Sequence, residues 1–119
     1  MSQKNQSELI KVSPQEEIIL TALNRGEDYG LGIIKAIELA SQGNRTIRIG
    51  ALYPALSRLE DKGLITSRWG DEEVPERGGA RRRYYQLTEL GRYNLDFLVR
   101  FRKALFDGSV PRTSPDRLN

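Results

Sequence analysis

The chain has 119 residues and a formal net charge of +3, which fits one domain with a single modest core. It contains no cysteine and no histidine. This excludes disulfides, thiolate nucleophiles and zinc–cysteine sites, and it removes the commonest general base and transition-metal ligand. No phosphate-binding loop, glycine fingerprint or convincing carboxylate pair is present. We therefore expect a protein that is not an enzyme and that uses neither a metal nor a cofactor.

The ends of the chain are polar. The N-terminus lacks the apolar run of a signal peptide, and no stretch approaches the roughly 20 apolar residues of a membrane span. We expect a cytoplasmic, nucleoid-associated protein with no membrane partner. Residues 1–12 are predicted to be a flexible or docking segment, with Leu9, Ile10 and Val12 as docking residues, and residues 107–119 a disordered tail. Residues 13–106 then form the single domain.

A first helix is predicted to begin at Ser13. Ser13 suits the N-cap, Pro14 suits the first helical position, and Glu16 stands where a capping box requires its acid. The helix should bury Ile18, Ile19 and Leu23 and end near residues 24–26.

A second helix is predicted after Asp28, which can cap it. Ile33, Ile34, Ile37 and Ala40 recur at spacings of three and four and mark one apolar face. The glycines at 30 and 32 weaken the first turn. They predict either a later helix start or the close approach of a neighbour.

A third helix should occupy roughly Gly50 to Lys62. Its apolar residues fall within a narrow arc, namely Leu52, Ala55, Leu56 and Leu59. The opposite face is then polar or small, with Tyr53 on its flank.

A long hairpin is predicted next, with strands from Leu64 to Trp69 and from Arg82 to Leu87. Its loop, from Gly70 to Arg81, has an acidic first limb between Asp71 and Glu76 and an arginine-rich second limb. Trp69 and Tyr85 are expected in the core beneath the hairpin. The acidic limb should either fold away from a polyanion or pair with the arginines when none is bound.

Thr88 can cap a last helix that runs to about residue 106 and carries apolar residues on more than one face. One helix of a small domain needs only one apolar stripe, so the surplus predicts a homodimer. The alternative is that the N-terminal segment covers the second stripe. The candidate dimerisation residues are Leu95, Leu98, Val99, Phe101, Leu105 and Phe106.

This element order, mostly α with a β-hairpin wing, predicts a winged helix-turn-helix with a long C-terminal dimerisation helix. Such a fold places one helix in the major groove of double-stranded DNA and the wing beside it. The candidate DNA contacts of the recognition helix and its approach are Arg45, Arg48, Tyr53, Ser57 and Arg58. Those of the wing are Arg77, Arg81, Arg82 and Arg83. The simpler interpretations are a solvated charged turn for the wing and a packing role for Tyr53. For Arg58 they are a solvated helix face or a pair with Asp61 or in the neighbourhood of Lys62.

Three segments carry a family resemblance. They are Tyr29-Gly30, the helix Leu52-Tyr53-Pro54-Ala55-Leu56-Ser57-Arg58-Leu59-Glu60, and the strand end Arg82-Arg83-Tyr84-Tyr85-Gln86-Leu87-Thr88. Together they resemble the PadR-type transcriptional regulators over residues 14–95. The resemblance implies a homodimeric winged-helix repressor whose C-terminal helix helps to form the dimer. The chain departs from the family by carrying Gly79-Ala80 and an extra arginine where a proline is usual. A weaker similarity to the clock-linked period-extender branch of cyanobacteria implies a role in circadian period control.

The resulting hypothesis is a sequence-specific regulator, most simply a repressor on a pseudo-palindromic operator. The wing would supply affinity through phosphates, and the helix around Tyr53, Ser57 and Arg58 would discriminate between sequences. Two alternatives stay open. One is a winged-helix adaptor that binds protein rather than DNA, which the acidic limb favours. The other is an effector-gated repressor, with Trp69, Phe97 and Phe101 lining a pocket at the dimer interface.

Overall fold

A computed structural model of the protein describes residues 9–73 and 75–113. In that part of the chain the helices are α1 (Pro14–Leu23), α2 (Gly30–Ala40), α3 (Ile49–Asp61) and α4 (Glu89–Phe106). The strands are β1 (Asp28–Tyr29), β2 (Ile65–Glu73) and β3 (Arg81–Leu87), with a 3-10 turn at Pro75–Arg77. They form one antiparallel sheet in the order β1-β3-β2. The predicted mostly-α fold with a hairpin wing is confirmed.

Two predicted helix starts are confirmed by their capping hydrogen bonds. The Ser13 hydroxyl accepts from the Glu16 N–H at 3.1 Å, and the Glu16 carboxylate accepts from the Ser13 N–H at 2.9 Å. The Thr88 hydroxyl accepts from the Gly91 N–H at 3.0 Å and so caps α4. Both helices therefore begin where side chains satisfy their first amide groups.

The predicted cap of the second helix is wrong. Tyr29, not Asp28, is the N-cap of α2, and it makes no side-chain capping bond. Asp28 lies in β1 instead, where its carboxylate accepts from the Tyr29 N–H at 2.9 Å and from Arg25 at 3.2 Å. Pairing of β1 with β3 extends the backbone at this point, so the helix begins one residue later.

The close approach predicted at the two α2 glycines is confirmed. A Cβ at Gly30 would collide with the Tyr53 hydroxyl, and one at Gly32 would collide with the Asp28 carboxylate. Only a residue without a side chain allows the edge of α3 to pack this tightly on the start of α2.

The core lies between the three N-terminal helices, the base of the sheet and the start of α4. Its fully buried members include Ile19, Leu20, Ile33, Leu52 and Leu64. Gly91 in α4 faces the backbone carbonyl of Leu64, where any Cβ would collide. This contact seats α4 directly on the turn that follows α3.

Residues 9–12 are docked rather than flexible. Ile10 and Val12 pack against the core, and the Ile10 N–H donates to the buried Asn94 side chain of α4 at 2.7 Å. Ile10 and Val12 thus make docking contacts, whereas Leu9 is 40% exposed, and residues 1–8 lie outside the described residues. So does the end of the predicted disordered tail, residues 114–119.

The hairpin is more extended than predicted. β2 continues to Glu73 through an irregularity between Trp69 and Glu73, and Glu73 pairs with Arg81, so the connecting loop is shorter. Tyr85 is buried as expected, but Trp69 is 55% exposed and does not belong to the core. Trp69 pairs with Arg83, beyond the part of the hairpin that packs on the helices.

Candidate nucleic-acid interface

The outer face of α3 is free of contacts that would cover it within the described chain. Gly50, Pro54, Ser57 and Asp61 are exposed, while the predicted apolar arc of Leu52, Ala55, Leu56 and Leu59 is buried. Arg48, also exposed, is the N-cap residue of this helix. α3 therefore presents an uncovered face of small and polar residues with a cation at its N-terminal end, and Ile49 and Tyr53 are exposed beside it.

Arg58 is held by an acid that sequence reasoning missed. Its Nε donates to Glu16 Oε2 at 2.8 Å, while the arginine side chain remains 52% exposed. The local pairing expected from sequence, with Asp61, is not the one observed. Glu16 lies 42 positions away, and its capping-box role gave no signal that the same carboxylate reaches α3.

Glu16 is a buried carboxylate with several donors. Lys62 donates to its Oε1 at 2.8 Å, in addition to the Ser13 N–H and Arg58. Burial raises the pKa of Glu16, but the hydrogen bonds from Lys62, Arg58 and Ser13 outweigh burial and lower the pKa to about 2. The carboxylate is therefore ionised under all ordinary conditions, and it ties α1 to the C-terminal half of α3.

Tyr53 and Arg45 have structural contacts of their own. Tyr53 is 41% exposed, and its hydroxyl lies against Gly30, so the packing interpretation is supported for part of this side chain. The Arg45 backbone N–H donates to the Ser41 hydroxyl at 2.8 Å, and its side chain borders a groove between α1, α2 and α4. All five predicted contacts of this region are exposed, and Arg48 and Ser57 are those for which the described residues show no such contact.

The wing arginines do not form a single patch. Side chains alternate along a strand, so Arg82 points to one face of the hairpin and Arg83 to the other. The Arg82 guanidinium lies 4.0 Å from the centre of the Tyr29 ring, and that of Arg83 lies 5.0 Å from the Trp69 ring. Arg81 is exposed, and the Arg77 guanidinium donates to the Arg81 carbonyl at 2.8 Å. Two arginines therefore lie on aromatic rings, and two lie near the loop.

The acidic limb is exposed on β2. Asp71, Glu72 and Glu73 make no ion pair within 4.0 Å among the described side chains, so the expected pairing with the arginines is not observed. An acid that does form an ion pair with the wing is Glu27, which accepts two bonds from Arg68, each of 2.7 Å. This pair fastens β2 to the segment before β1, and sequence reasoning missed it as well.

The second apolar face of α4 is exposed. Val99, Phe101, Leu105 and Phe106 are half to almost fully exposed, and the rings of Phe97 and Phe101 stack at 6.2 Å. Leu95 differs from the other candidate dimerisation residues because it is 3% exposed and packs in the subunit's own core. Beside this face lies an open groove of about 890 Å³ with an apolar floor that includes Ile18, Ala22 and Val99.

A helix pair followed by an uncovered third helix and a twisted hairpin defines a winged helix-turn-helix protein. Residues 19–96 match the model of the transcriptional regulator PadR-like family. The chain belongs to this family, and the resemblance seen in the sequence is confirmed. Because the family consists of transcriptional regulators, the expectation that the chain is not an enzyme is confirmed too.

The chain is also similar in sequence or in structure to individual known proteins. The transcriptional regulator YqjI of Escherichia coli K12 is 40% identical over 74 residues, which are 62% of this chain and 32% of that protein. The chain thus spans about a third of that relative's length. A PadR-like transcription factor from Bacteroides fragilis is 27% identical with a TM-score of 0.67, over 91% of this chain and 92% of its own. PadR of Bacillus subtilis, solved with operator DNA, is 24% identical with a TM-score of 0.62, over 83% and 61% of the two chains, and shows the fold alone.

Among the described residues, no helix combines the length and the apolarity that crossing a bilayer requires.

Proposed function

We propose that this chain is a DNA-binding transcriptional regulator that acts as a homodimeric repressor on a pseudo-palindromic operator. The observation that carries the proposal is the uncovered face of α3, with Gly50, Pro54 and Ser57 outward and Arg48 at its N-terminal end. The exposed wing beside it adds Arg77 and Arg81 near its loop. The operator DNA bound to the Bacillus subtilis protein of the same fold supports this choice of partner.

The wing and α3 contact different parts of the DNA in this proposal, because their exposed side chains differ in chemistry. Arginines of the wing bind phosphates, which give affinity and register, whereas the outward residues of α3 read base edges. A DNA partner would place the protein in the cytoplasm, at the nucleoid.

Selection of genomic fragments on the purified protein tests DNA binding and isolates the operator in the same step. Fluorescence anisotropy then compares the enriched sequence with a scrambled duplex of the same composition. We expect preferential binding that weakens steeply with salt, because phosphate neutralisation releases counterions. Arg48→Ala should weaken it, and Lys35→Ala, an exposed cation of α2, is the matched control. A salt-insensitive interaction with no sequence preference contradicts the proposal.

The exposed face of α4 supports the homodimer. Phe101 and Leu105 are 50% and 58% exposed, and a second copy that covered them would bury a continuous apolar surface. Light scattering should give twice the mass of the chain at micromolar concentration. Phe101→Glu should yield monomers, whereas Leu31→Glu should not, because this equally exposed leucine of α2 lies outside the groove and α4. A monomeric wild type contradicts this part.

Repression and the circadian role need cellular tests. Repression is supported by the family resemblance. Expression of a reporter gene placed behind the selected operator should rise when the gene for this protein is deleted. A role in circadian period control is supported only by the weaker resemblance to the clock-linked branch. Deletion in the native host should then change the free-running period, and an unchanged period removes the role.

The α1–α2–α4 groove supports effector-gated repression as a second candidate function. Its volume of about 890 Å³ and its apolar floor suit a small amphipathic ligand. None of the three aromatic residues predicted to line a pocket lines this groove, because Trp69 lies in the wing and Phe97 and Phe101 lie elsewhere on α4. A ligand that raises the melting temperature and releases operator supports gating. The adaptor alternative would be supported by a wild type that enriches no DNA at all.

A further inference from the structure

The Glu16 carboxylate is held more firmly than any exposed ion pair would be. It is 3% exposed in its side chain, and its Oε1 accepts from Lys62 Nζ and the Ser13 N–H while its Oε2 accepts from Arg58 Nε. Lys62 also donates to the Lys11 carbonyl at 3.0 Å. Glu16 and Lys62 therefore join the docked segment, α1 and α3 through one set of hydrogen bonds.

Glu16 binds only one of the three guanidinium nitrogens of Arg58. Only Nε is engaged, and the two terminal nitrogens have no partner among the described residues while the side chain is 52% exposed. A guanidinium fixed at one nitrogen presents its remaining donors in a defined direction, at less cost in side-chain entropy when an anion binds.

The position of Arg58 on α3 indicates which part of DNA those donors face. Arg58 and Lys62 are four residues apart and share the flank that turns toward α1, whereas Ser57 lies on the outward face. A side chain drawn to the flank stands beside the groove that the helix enters. The anion within reach there is the DNA backbone rather than a base edge.

Resting on the DNA-binding function proposed above, we propose that Glu16 is a positioning residue that fixes Arg58 as a clamp for one backbone phosphate. The clamp supplies affinity and not sequence discrimination. Reading of bases then falls to the outward residues of α3 around Ser57.

Net charge and a positioning role predict opposite effects of Glu16→Gln on DNA affinity. Glu16, Arg58 and Lys62 sum to +1, and Glu16→Gln raises this sum to +2 next to a polyanion. If charge were decisive, the variant would bind DNA more tightly. A positioning role predicts weaker binding despite the added positive charge.

The experiment is a double-mutant cycle on DNA affinity with Glu16→Gln and Arg58→Ala, measured by anisotropy on the operator and on a mismatched duplex. Glu16→Gln should weaken binding by about threefold to tenfold on both duplexes and reduce the salt slope by about one. In the Arg58→Ala background it should have no further effect. Glu16→Asp, which keeps the charge but shortens the side chain, should repeat the loss if Glu16→Gln does not fold.

Controls separate positioning from stability. Leu23→Ala, a core truncation at the opposite end of α1 from Glu16, should lower the melting temperature and leave DNA affinity unchanged below that temperature. A wild type that binds operator together with a Glu16→Gln variant that binds equally or more tightly overturns the positioning role alone. So does an equal loss in the Arg58→Ala background. A wild type that selects no DNA overturns the proposed function, and the clamp with it.

Discussion

The helix α3 and the wing hold their arginines in different ways. Arg58 on α3 is held by a buried carboxylate that also caps α1 and binds Lys62. In the wing, Arg82 and Arg83 lie on the rings of Tyr29 and Trp69, with no carboxylate partner in the described chain. One cation is fixed to the core, and the others rest on the surface of a hairpin.

The two modes of attachment differ in what it costs to move each region. The Glu16 carboxylate is buried although Arg58 and Lys62 are partly exposed, and moving α3 away from it would leave its charge uncompensated. Contacts between cations and partly exposed aromatic rings are individually weaker and allow the wing to adjust. Removing the Glu16 carboxylate should therefore lower stability, whereas removing an exposed arginine of the wing should mainly alter binding.

The largest effect is expected from Glu16→Gln on stability. Because the folded pKa of Glu16 lies near 2, the ionised carboxylate contributes about 3 kcal/mol to the free energy of unfolding above pH 4.5. This contribution is lost as pH falls from about 4.5 to 2, since protonation then favours the unfolded chain. Urea unfolding should show the variant less stable at pH 7 and the gap to wild type closing in acid. A gap of constant size at all pH values contradicts the assigned role of the charge, and Glu72→Gln on the wing is the control.

A matched pair of glycine substitutions should separate the two regions by sign. A Cβ at Gly70 in the wing would lie 2.8 Å from the Tyr84 ring, so Gly70→Ala should cost about 1–2 kcal/mol. A Cβ at Gly50 on α3 meets nothing within 4 Å, so Gly50→Ala should gain about 0.5–1 kcal/mol through helix propensity. Thermal unfolding measures both changes. The same alanine at Gly50 should also weaken operator binding, because it adds bulk to the face that we propose to enter the groove.

The wing arginines should divide between stability and binding. Arg82→Ala removes a guanidinium that lies on Tyr29 and should cost about 0.5–1 kcal/mol of unfolding free energy. Arg81→Ala removes an exposed cation, so stability should not change, but the salt slope of DNA binding should fall by about one. Equal losses of unfolding free energy for the two variants would show that the strand face on which an arginine lies does not decide its contribution to stability.

Local chemistry was predictable from the sequence. Ser13, Pro14 and Glu16 indicated the start of α1, and Thr88 indicated that of α4, because capping depends on residues three positions apart. The buried arc of α3 followed from its apolar spacing in the same way. The winged-helix order then followed from the sequence of elements.

Contacts between distant residues were not predictable. The pairing of Glu16 with Arg58 and of Glu27 with Arg68 joins residues more than 40 positions apart, and neither partner is marked by a local pattern. Trp69 was misplaced in the core because its apolar character indicates burial, whereas the hairpin carries it past the helices. The Asp28 cap was wrong because sheet pairing took precedence over side-chain preference.

The smallest effect on stability is expected from Glu27→Gln, which tests how the wing is fastened. Hydrogen bonds from Arg68 lower the pKa of Glu27, yet the pair lies on the surface, where such contacts add little stability. The free energy of unfolding should therefore stay within error of wild type. Trp69, the single tryptophan of the chain, lies next to Arg68, so steady-state fluorescence anisotropy reports the mobility of the wing directly. We expect lower anisotropy at unchanged stability. A large loss of stability would instead show that the wing is anchored as firmly as α3.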